Sequence, residues 1–224
     1  MCDVKNNVID DNKEILEELS KLTTATVHEA QGKKGAFNPN IKPLIKGKHI
    51  CGQALTVKTG PSDNLMLIKA ISMAQEGQII VLDHNSIEMS GPFGAVLATE
   101  LKTKKVSGLI TNGSVRDSED IKKMDFQVFC KNLSILGTSK VEVGTINHPI
   151  AVDNVVVNPG DYILGDDDGV VLIKKENIKE VIRESKLRDE KESVVIDRIK
   201  KGESLFDIYN YQKKFDELNI EVEN

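Results

Sequence analysis

The chain has 224 residues, 39% of them hydrophobic and 29% charged, with a formal net charge of −5. That is length and apolar content for one sizeable core, and the acidic balance offers no basic stripe of the kind from which a nucleic-acid binder draws its affinity, so no nucleic-acid partner is expected. No apolar run approaches the ~18 residues of a membrane helix. The polar start at Met1 to Asn7 is no secretory signal, and Cys2, Cys51 and Cys130 are too few and too scattered for a disulfide framework or zinc ribbon, which together suit a reducing cytoplasmic compartment with no membrane partner.

Trp is absent and aromatics are 4%, so the core falls to Ile, Val, Leu and Ala, a composition suited to buried strands flanked by helices. Asp10-Asp11 reads as an N-cap for a helix carrying Ile15, Leu16, Leu19 and Leu22. A short helix follows from Thr24 or Thr26 to Gly32, then a loop over 33–49 rich in Gly and Pro. Residues 54–57 form a strand. Pro61-Ser62-Asp63 caps a helix with Leu65, Leu67, Ile68, Ile71 and Ala74, closed by Gly77, and residues 79–82 form a buried strand. After the turn Gly91-Pro92-Phe93-Gly94 come a helix over 95–104, a strand over 106–111, a turn at Asn112-Gly113-Ser114, and then Arg116-Asp117. This alternation implies parallel strands with helices packed on the sheet.

From about Phe126 the pattern becomes short strands (126–129, 138–144, 150–157, 162–164, 170–173) between turns such as Asn158-Pro159-Gly160-Asp161. Residues 174 to about 211 are charged and helical, with Ile178, Val181, Ile182, Val194, Val195 and Ile199 as the apolar stripe and Gly202 as a break. Residues 1–224 are accordingly expected to form one α/β domain with a mixed sheet, its core spanning about 22–173 and a C-terminal helical extension about 174–224.

Two local features carry chemistry. A glycine turn running into a helix leaves the first N–H groups unpaired, and with the helix dipole these favour an anion; Gly94 would let a ligand approach, and the amides of Val96 and Leu97 would hold a carboxylate. Arg116-Asp117 follows the next strand, at the sheet edge where ligands of open α/β sheets gather. Arg116 offers a fork that matches a carboxylate, and Asp117 a hard oxygen for a divalent cation. Together they suit a 2-oxo acid. Taken alone, the first feature is better served by a plain strand–helix connection, and the second is equally a surface ion pair. His28, His49, His84 and His148 show no metal-ligand spacing, His28-Glu29 reads as structural, and Asp166-Asp167-Asp168-Gly169 reads as a β-turn rather than a calcium loop.

Many ordered segments make the chain similar to a known family: Ala25-Thr26-Val27-His28-Glu29-Ala30-Gln31-Gly32, Cys51-Gly52-Gln53-Ala54-Leu55-Thr56-Val57, Asp63-Asn64, Gly91-Pro92-Phe93-Gly94, Gly113-Ser114-Val115-Arg116-Asp117, Asn158-Pro159-Gly160-Asp161, Asp166-Asp167-Asp168-Gly169-Val170-Val171 and Lys191-Glu192. From about Leu22 to Asp207 it resembles the family of the regulator of ribonuclease activity A and the class II 4-hydroxy-4-methyl-2-oxoglutarate / 4-carboxy-4-hydroxy-2-oxoadipate aldolases, some of whose members carry the label demethylmenaquinone methyltransferase. No glycine-rich cofactor loop supports a methyltransferase here. The resemblance implies a swivelling β/β/α fold, homotrimers or hexamers with sites at subunit interfaces, a divalent metal (Mg or Mn), and retro-aldol release of pyruvate or decarboxylation of oxaloacetate. It implies Arg116 and Asp117 as catalytic residues, with Arg116 on the carboxylate and keto oxygen, Gly94, Ala95, Val96 and Leu97 lining the substrate, Asp117 on the metal, and Glu192 reaching the metal's waters from a neighbouring subunit. One departure stands out: the aldolases carry an acid directly after the glycine at position 94, where this chain has Ala95, which a slow aldolase or a non-catalytic regulator of protein partners would tolerate.

Overall fold

The computed structural model describes residues 3–6, 9–10, 13–85 and 87–220; Cys2 and Asp11 of the expected N-cap lie outside them. The chain opens with α1 (Lys13–Leu19) and α2 (Thr24–Ala30), followed by β1 (Lys42–Pro43), β2 (Ile50–Lys58), α3 (Leu65–Met73), β3 (Gln78–Asp83), α4 (Ala95–Thr103), β4 (Gly108–Thr111), β5 (Ser114–Val115), α5 (Ser118–Lys123), β6 (Val128–Cys130) and β7 (Asn132–Leu133). The second half adds β8 (Thr145–Ile146), β9 (Ile150–Val152), β10 (Val155–Val157), β11 (Tyr162–Gly165), β12 (Val170–Ile173), α6 (Ile178–Lys200), α7 (Leu205–Ile208) and α8 (Tyr211–Glu217).

The main sheet runs β1-β6-β4-β3-β2-β11-β12, with β8 also on β2. Its centre, β2-β3-β4-β6, is parallel, while β1, β8, β11 and β12 join antiparallel. Side chains of a strand alternate between faces, and the core divides accordingly. Leu55, Val57, Ile80, Leu82 and Leu109 point to the layer of α3, α4 and α5 with Leu67, Ile71 and Leu101. Ala54, Ile79, Val81 and Ile110 point the other way, onto Val152, Val155, Val157 and Ile163. A third cluster packs Tyr162, Leu164, Val171 and Ile173 against Leu19, Val27, Ile178, Val181 and Ile182 of the terminal helices. Burial on both faces is why β3 reads as an unbroken apolar run over 79–82, and β4 too is buried at every position. The expected α/β class, mixed sheet and C-terminal helical extension are thus observed.

Four local expectations need correction. The loop over 33–49 contains β1, paired with β6 through Lys42 and Pro43. Residues 150–157 fold as the β9–β10 hairpin, because Asp153 takes a left-handed φ of 52° that no continuous strand allows. The C-terminal helix ends at Lys200, closed by Gly202 at φ 97° as the glycine implied, but Val194 and Ile199 of its apolar stripe stay exposed. Residues 138–144 are not a strand. Two of their N–H groups turn to a side chain instead: Asp63 Oδ2 accepts from Val141 N (2.6 Å) and Glu142 N (3.2 Å) and from the hydroxyl Ser139 Oγ (2.7 Å), while Oδ1 accepts from Leu65 N at the start of α3 (2.8 Å).

Asp63 is fully buried. Desolvation alone would raise its pKa, but the hydrogen bonds from Leu65, Val141, Ser139 and Glu142 outweigh it and hold the carboxyl at about 2. A depressed folded-state pKa contributes stability that is complete above the unfolded value of about 4 and fades as pH falls toward 2, worth about 2 kcal/mol at neutral pH. Asp63→Asn should therefore lower unfolding stability by about 2 kcal/mol at pH 7, and the gap to wild type should shrink by roughly half at pH 3, as read by denaturant titration at both pH values; a gap independent of pH would remove the ionised carboxylate from this account.

Candidate functional site

The parallel register brings the C-terminal ends of β2, β3 and β4 side by side. The segments that leave them build a polar cluster that the sequence patterns did not single out. His84, directly after β3, is fully buried. Its Nδ1 lies 2.8 Å from Thr59 Oγ1, and its Nε2 lies 3.1 Å from Ser90 Oγ, which itself donates to Ser62 Oγ at 3.2 Å. The backbone N–H of His84 donates to Asn112 Oδ1 (2.8 Å), whose Nδ2 donates to Asp83 Oδ1 (2.9 Å), and Asp83 Oδ2 pairs with Lys58 at 3.3 Å. Burial pulls the His84 pKa down, and the nearby Asp83 and Asp63 carboxylates only partly offset it, so the ring is neutral at pH 7. The usable signal was position: a histidine closing an apolar strand at the carboxyl edge of a parallel sheet.

The Gly91–Gly94 turn lies against Arg116. Arg116 N donates to Phe93 O at 2.9 Å, and Gly91 N donates to Leu136 O at 2.9 Å. Phe93 is fully buried, its ring 6.1 Å from that of Phe126. A side chain at Gly94 has no room: a Cβ there would sit 2.4 Å from Asp117 Oδ2 and 3.1 Å from Arg116 Nε. At Gly91 it would meet Ser134 O at 2.6 Å and Arg116 Cβ at 3.1 Å. Asp117 adopts a left-handed backbone (φ 57°, ψ 37°) at the start of α5, a conformation Asp tolerates better than most residues. Its Oδ2 accepts the N–H of Ala95 at 3.0 Å and lies 3.7 Å from Arg116 Nε. The two side chains are 45% and 39% exposed, open to a solute.

Gly94, Ala95, Val96, Leu97, Arg116 and Asp117 therefore share one place in the structure. The carbonyls of Pro92 and Phe93, which would otherwise accept from the first turn of α4, are taken by Asn64 Nδ2 (3.0 Å) and Arg116 N. Among the described residues the N–H groups of Val96 and Leu97 have no acceptor. Two free amides, a helix start and a guanidinium can bind a carboxylate.

Among the described residues no three His, Cys, Asp or Glu side chains come together as a metal cage. Asp117 Oδ1 has no partner there, and a single half-exposed carboxylate suits a hydrated Mg or Mn that takes its remaining ligands from substrate and water. Glu192 is elsewhere in the chain. It pairs with Arg188 at 2.8 Å, and Arg188 in turn lies 3.9 Å from Glu29 of α2. α2 packs on β12, four strands along the sheet from β4. His28 Nδ1 lies 3.0 Å from Lys34 O. Asp166 accepts from Thr24 N, Thr24 Oγ1 and Asp168 N at 2.7–3.0 Å and ties its turn to α2. Burial pushes the thiols of Cys51 and Cys130 up to about 12 and about 11, so neither offers a thiolate at neutral pH. Among the described residues no helix is long and apolar enough to cross a membrane.

The chain belongs to the RraA-like (Aldolase/RraA) family, whose model matches residues 7–172. It is 38% identical over 175 residues to an uncharacterised protein of Methanocaldococcus jannaschii, covering 77% of this chain and 84% of that one. It is 32% identical over 165 residues to a Halalkalibacterium halodurans protein provisionally named a 4-hydroxy-4-methyl-2-oxoglutarate aldolase, covering 74% and 79%. In fold it matches the crystal structure of RraAS2 from Streptomyces coelicolor, described as an unusual member of the RNase ES inhibitor RraA family, with TM-score 0.76, 21% identity, and coverage of 84% and 98%.

Because the backbone of Gly94 is extended (φ −150°, ψ −170°), any residue can adopt it, and a substitution acts through space alone. Gly94→Ala should displace the Asp117 carboxylate from Ala95 N while changing stability by less than about 1 kcal/mol. Oxalate affinity in the presence of Mn, measured by calorimetry, should fall at least tenfold; unchanged affinity would show that the approach of Gly94 to Asp117 has no part in ligand binding.

Proposed function

We propose that this chain is a divalent-metal-dependent carbon–carbon lyase of 2-oxo acids, releasing pyruvate by retro-aldol cleavage, decarboxylating oxaloacetate, or both. The observation that carries this reading is the placement of the Arg116 guanidinium and Asp117 carboxylate beside the unpaired amides of Val96 and Leu97. In such a reaction the bond between C3 and C4 of the substrate breaks, and its electron pair passes into the enolate of pyruvate. In the retro-aldol case the C4 hydroxyl loses a proton to base and becomes a carbonyl; in the decarboxylation the C4 carboxylate leaves as carbon dioxide. C3 of the enolate then gains a proton. The Val96 and Leu97 amides hold the substrate carboxylate, and Arg116 spans the carboxylate and the C2 oxygen, where negative charge grows. A bound Mg or Mn, with Asp117 as its ligand, supplies further stabilisation of that oxygen.

Ala95 limits the rate. It stands at the start of α4 beside Asp117, and its methyl group can neither hold nor deliver a proton. General acid–base help is worth roughly 10²–10⁴-fold, so the chain acts slowly or leaves the proton to solvent. Glu192 completes the site from a second copy in a homotrimer or hexamer, since within one chain it lies with Arg188 far along the sheet. The reading places the protein in the cytoplasm. Ala95 also favours a second reading: a non-catalytic regulator that binds protein partners and keeps the carboxylate clamp as a relic.

Pyruvate release from 4-carboxy-4-hydroxy-2-oxoadipate, 4-hydroxy-4-methyl-2-oxoglutarate and oxaloacetate, with Mg or Mn and with chelator, tests the first reading. Turnover of at least one should appear with metal and vanish with chelator, and Arg116→Ala should abolish it together with oxalate binding while the fold survives. Oxalate binding without turnover on all three would favour the regulator. Ala95→Asp should raise turnover tenfold or more, the low end of the range for acid–base help; no gain would place the rate limit at another residue.

A further inference from the structure

We propose that His84 is a positioning residue of this site: its imidazole clamps the segment leading to the Gly91–Gly94 turn onto the end of β2, and so holds that turn against Arg116. The inference rests on the reading of Gly94 and Arg116-Asp117 as a 2-oxo acid site. Residues 87–94 run from β3 to α4 with no helix or strand of their own beyond a single bridge between Ser90 and Leu136. Backbone bonds from Gly91 N to Leu136 O and from Arg116 N to Phe93 O hold the turn itself, and side chains hold the stretch leading to it: Ser114 Oγ donates to Glu88 O, Ser134 Oγ donates to Met89 O, and His84 meets Ser90.

Hydrogen-bond direction follows from proton counting. With the Ser90 hydroxyl donating to Ser62 Oγ, its oxygen would accept from His84 Nε2, which would then carry the ring hydrogen. In a neutral ring Nδ1 is then an acceptor, and the Thr59 hydroxyl donates to it. The order Thr59 to His84 to Ser90 to Ser62 leaves every donor along it used once. Ser90 immediately precedes Gly91, whose N–H goes to Leu136 O and whose Cα faces Arg116. Releasing Ser90 from His84 would therefore loosen the approach to the turn, which would then rest on the Gly91 N–H to Leu136 O, Asn64 Nδ2 to Pro92 O and the Arg116 N–H to Phe93 O. Thr59, His84 and Ser90 are all buried, so water cannot replace the imidazole without a void.

Two substitutions separate the links. In His84→Asn the Oδ1 atom stands near the place of Nδ1 and keeps Thr59, but nothing reaches Ser90. In His84→Gln the Nε2 amide reaches as far as the imidazole Nε2 and donates to Ser90. The measurements are oxalate affinity with Mn by calorimetry and amide hydrogen exchange at Gly91 and Arg116, with Ile80 and Leu109 of the sheet as internal controls. His84→Asn should weaken oxalate at least tenfold and speed exchange at Gly91 and Arg116 at least tenfold, with Ile80 and Leu109 unchanged; His84→Gln should stay within threefold of wild type in both. Equal impairment of the two variants with faster exchange at Ile80 and Leu109 would make His84 a packing residue and overturn the proposal, as would wild-type behaviour of both. If wild type binds no oxalate, or binds it as well after Arg116→Ala, the 2-oxo acid reading falls, and the contrast in exchange between Asn and Gln alone decides the clamp.

Discussion

The candidate site depends on a close approach of two chain segments that only a missing side chain allows. Phe93, buried against Phe126, anchors the first segment, and its carbonyl takes the Arg116 N–H. One residue later Gly94 passes so near Asp117 that a methyl group would stand 2.4 Å from the carboxylate oxygen. The ion pair between Arg116 and Asp117 is half-exposed and 3.7 Å long, worth about 0–1 kcal/mol at most, so it does not hold the segments together. The buried aromatic contact and the backbone hydrogen bond do that, and the charged groups are carried into place by them. A cation, an anion and two free amides are thereby kept within a few ångströms of one another, a poor arrangement for stability and a useful one for a ligand that bears both a carboxylate and a polarisable oxygen.

Much of this was legible in the sequence where a local rule applies. The apolar run at 79–82 predicted a buried strand, and its alternation with helices and the strand at 106–111 predicted parallel pairing; β3 and β4 are parallel and buried at every position. Turn glycines placed α4, and strand order placed Arg116-Asp117 at the same sheet edge as Gly94. What was not legible depends on contacts distant in sequence. Residues 138–144 read as a strand, yet the Val141 and Glu142 N–H groups and the Ser139 hydroxyl go to Asp63, more than seventy residues away. Val194 and Ile199 have helical spacing and read as core, yet they lie on the part of α6 that extends past α2 and stay exposed. His84 and Ser90 show no motif because their relation is spatial: strand end, loop and strand end meet only after the sheet has formed.

The carboxyl edge of the sheet is held differently from its centre. The layers around β2, β3 and β4 are sealed by apolar side chains, whereas the irregular segments above them are tied by buried polar groups, Asp63 on one side and His84 on the other. Such groups stabilise only while every partner is present, because an unmade buried hydrogen bond costs about 1–3 kcal/mol. That makes these anchors directional in a way that hydrophobic burial is not. Asp63 accepts from two elements at once and sets the start of α3 relative to residues 139–142. His84 sets β2 relative to Ser90. The turn at Gly91–Gly94 lies between them, held from both sides, with Asn64 adding a bond to the Pro92 carbonyl.

This separation of scaffold from clamp bears on how Ala95 is to be understood. Its N–H, not its side chain, makes the contact with Asp117, so the geometry of the carboxylate clamp is indifferent to what stands at position 95. An acid required there by the proposed lyase chemistry could be lost without disturbing the fold, the approach at Gly94 or the free amides of Val96 and Leu97. Under the proposed function, binding and proton delivery are independent: backbone and Arg116 would build the first, and a single interchangeable side chain would supply the second. Under that proposal, loss of the acid would remove rate while leaving recognition intact, so that one scaffold could serve both lyases and proteins that only bind.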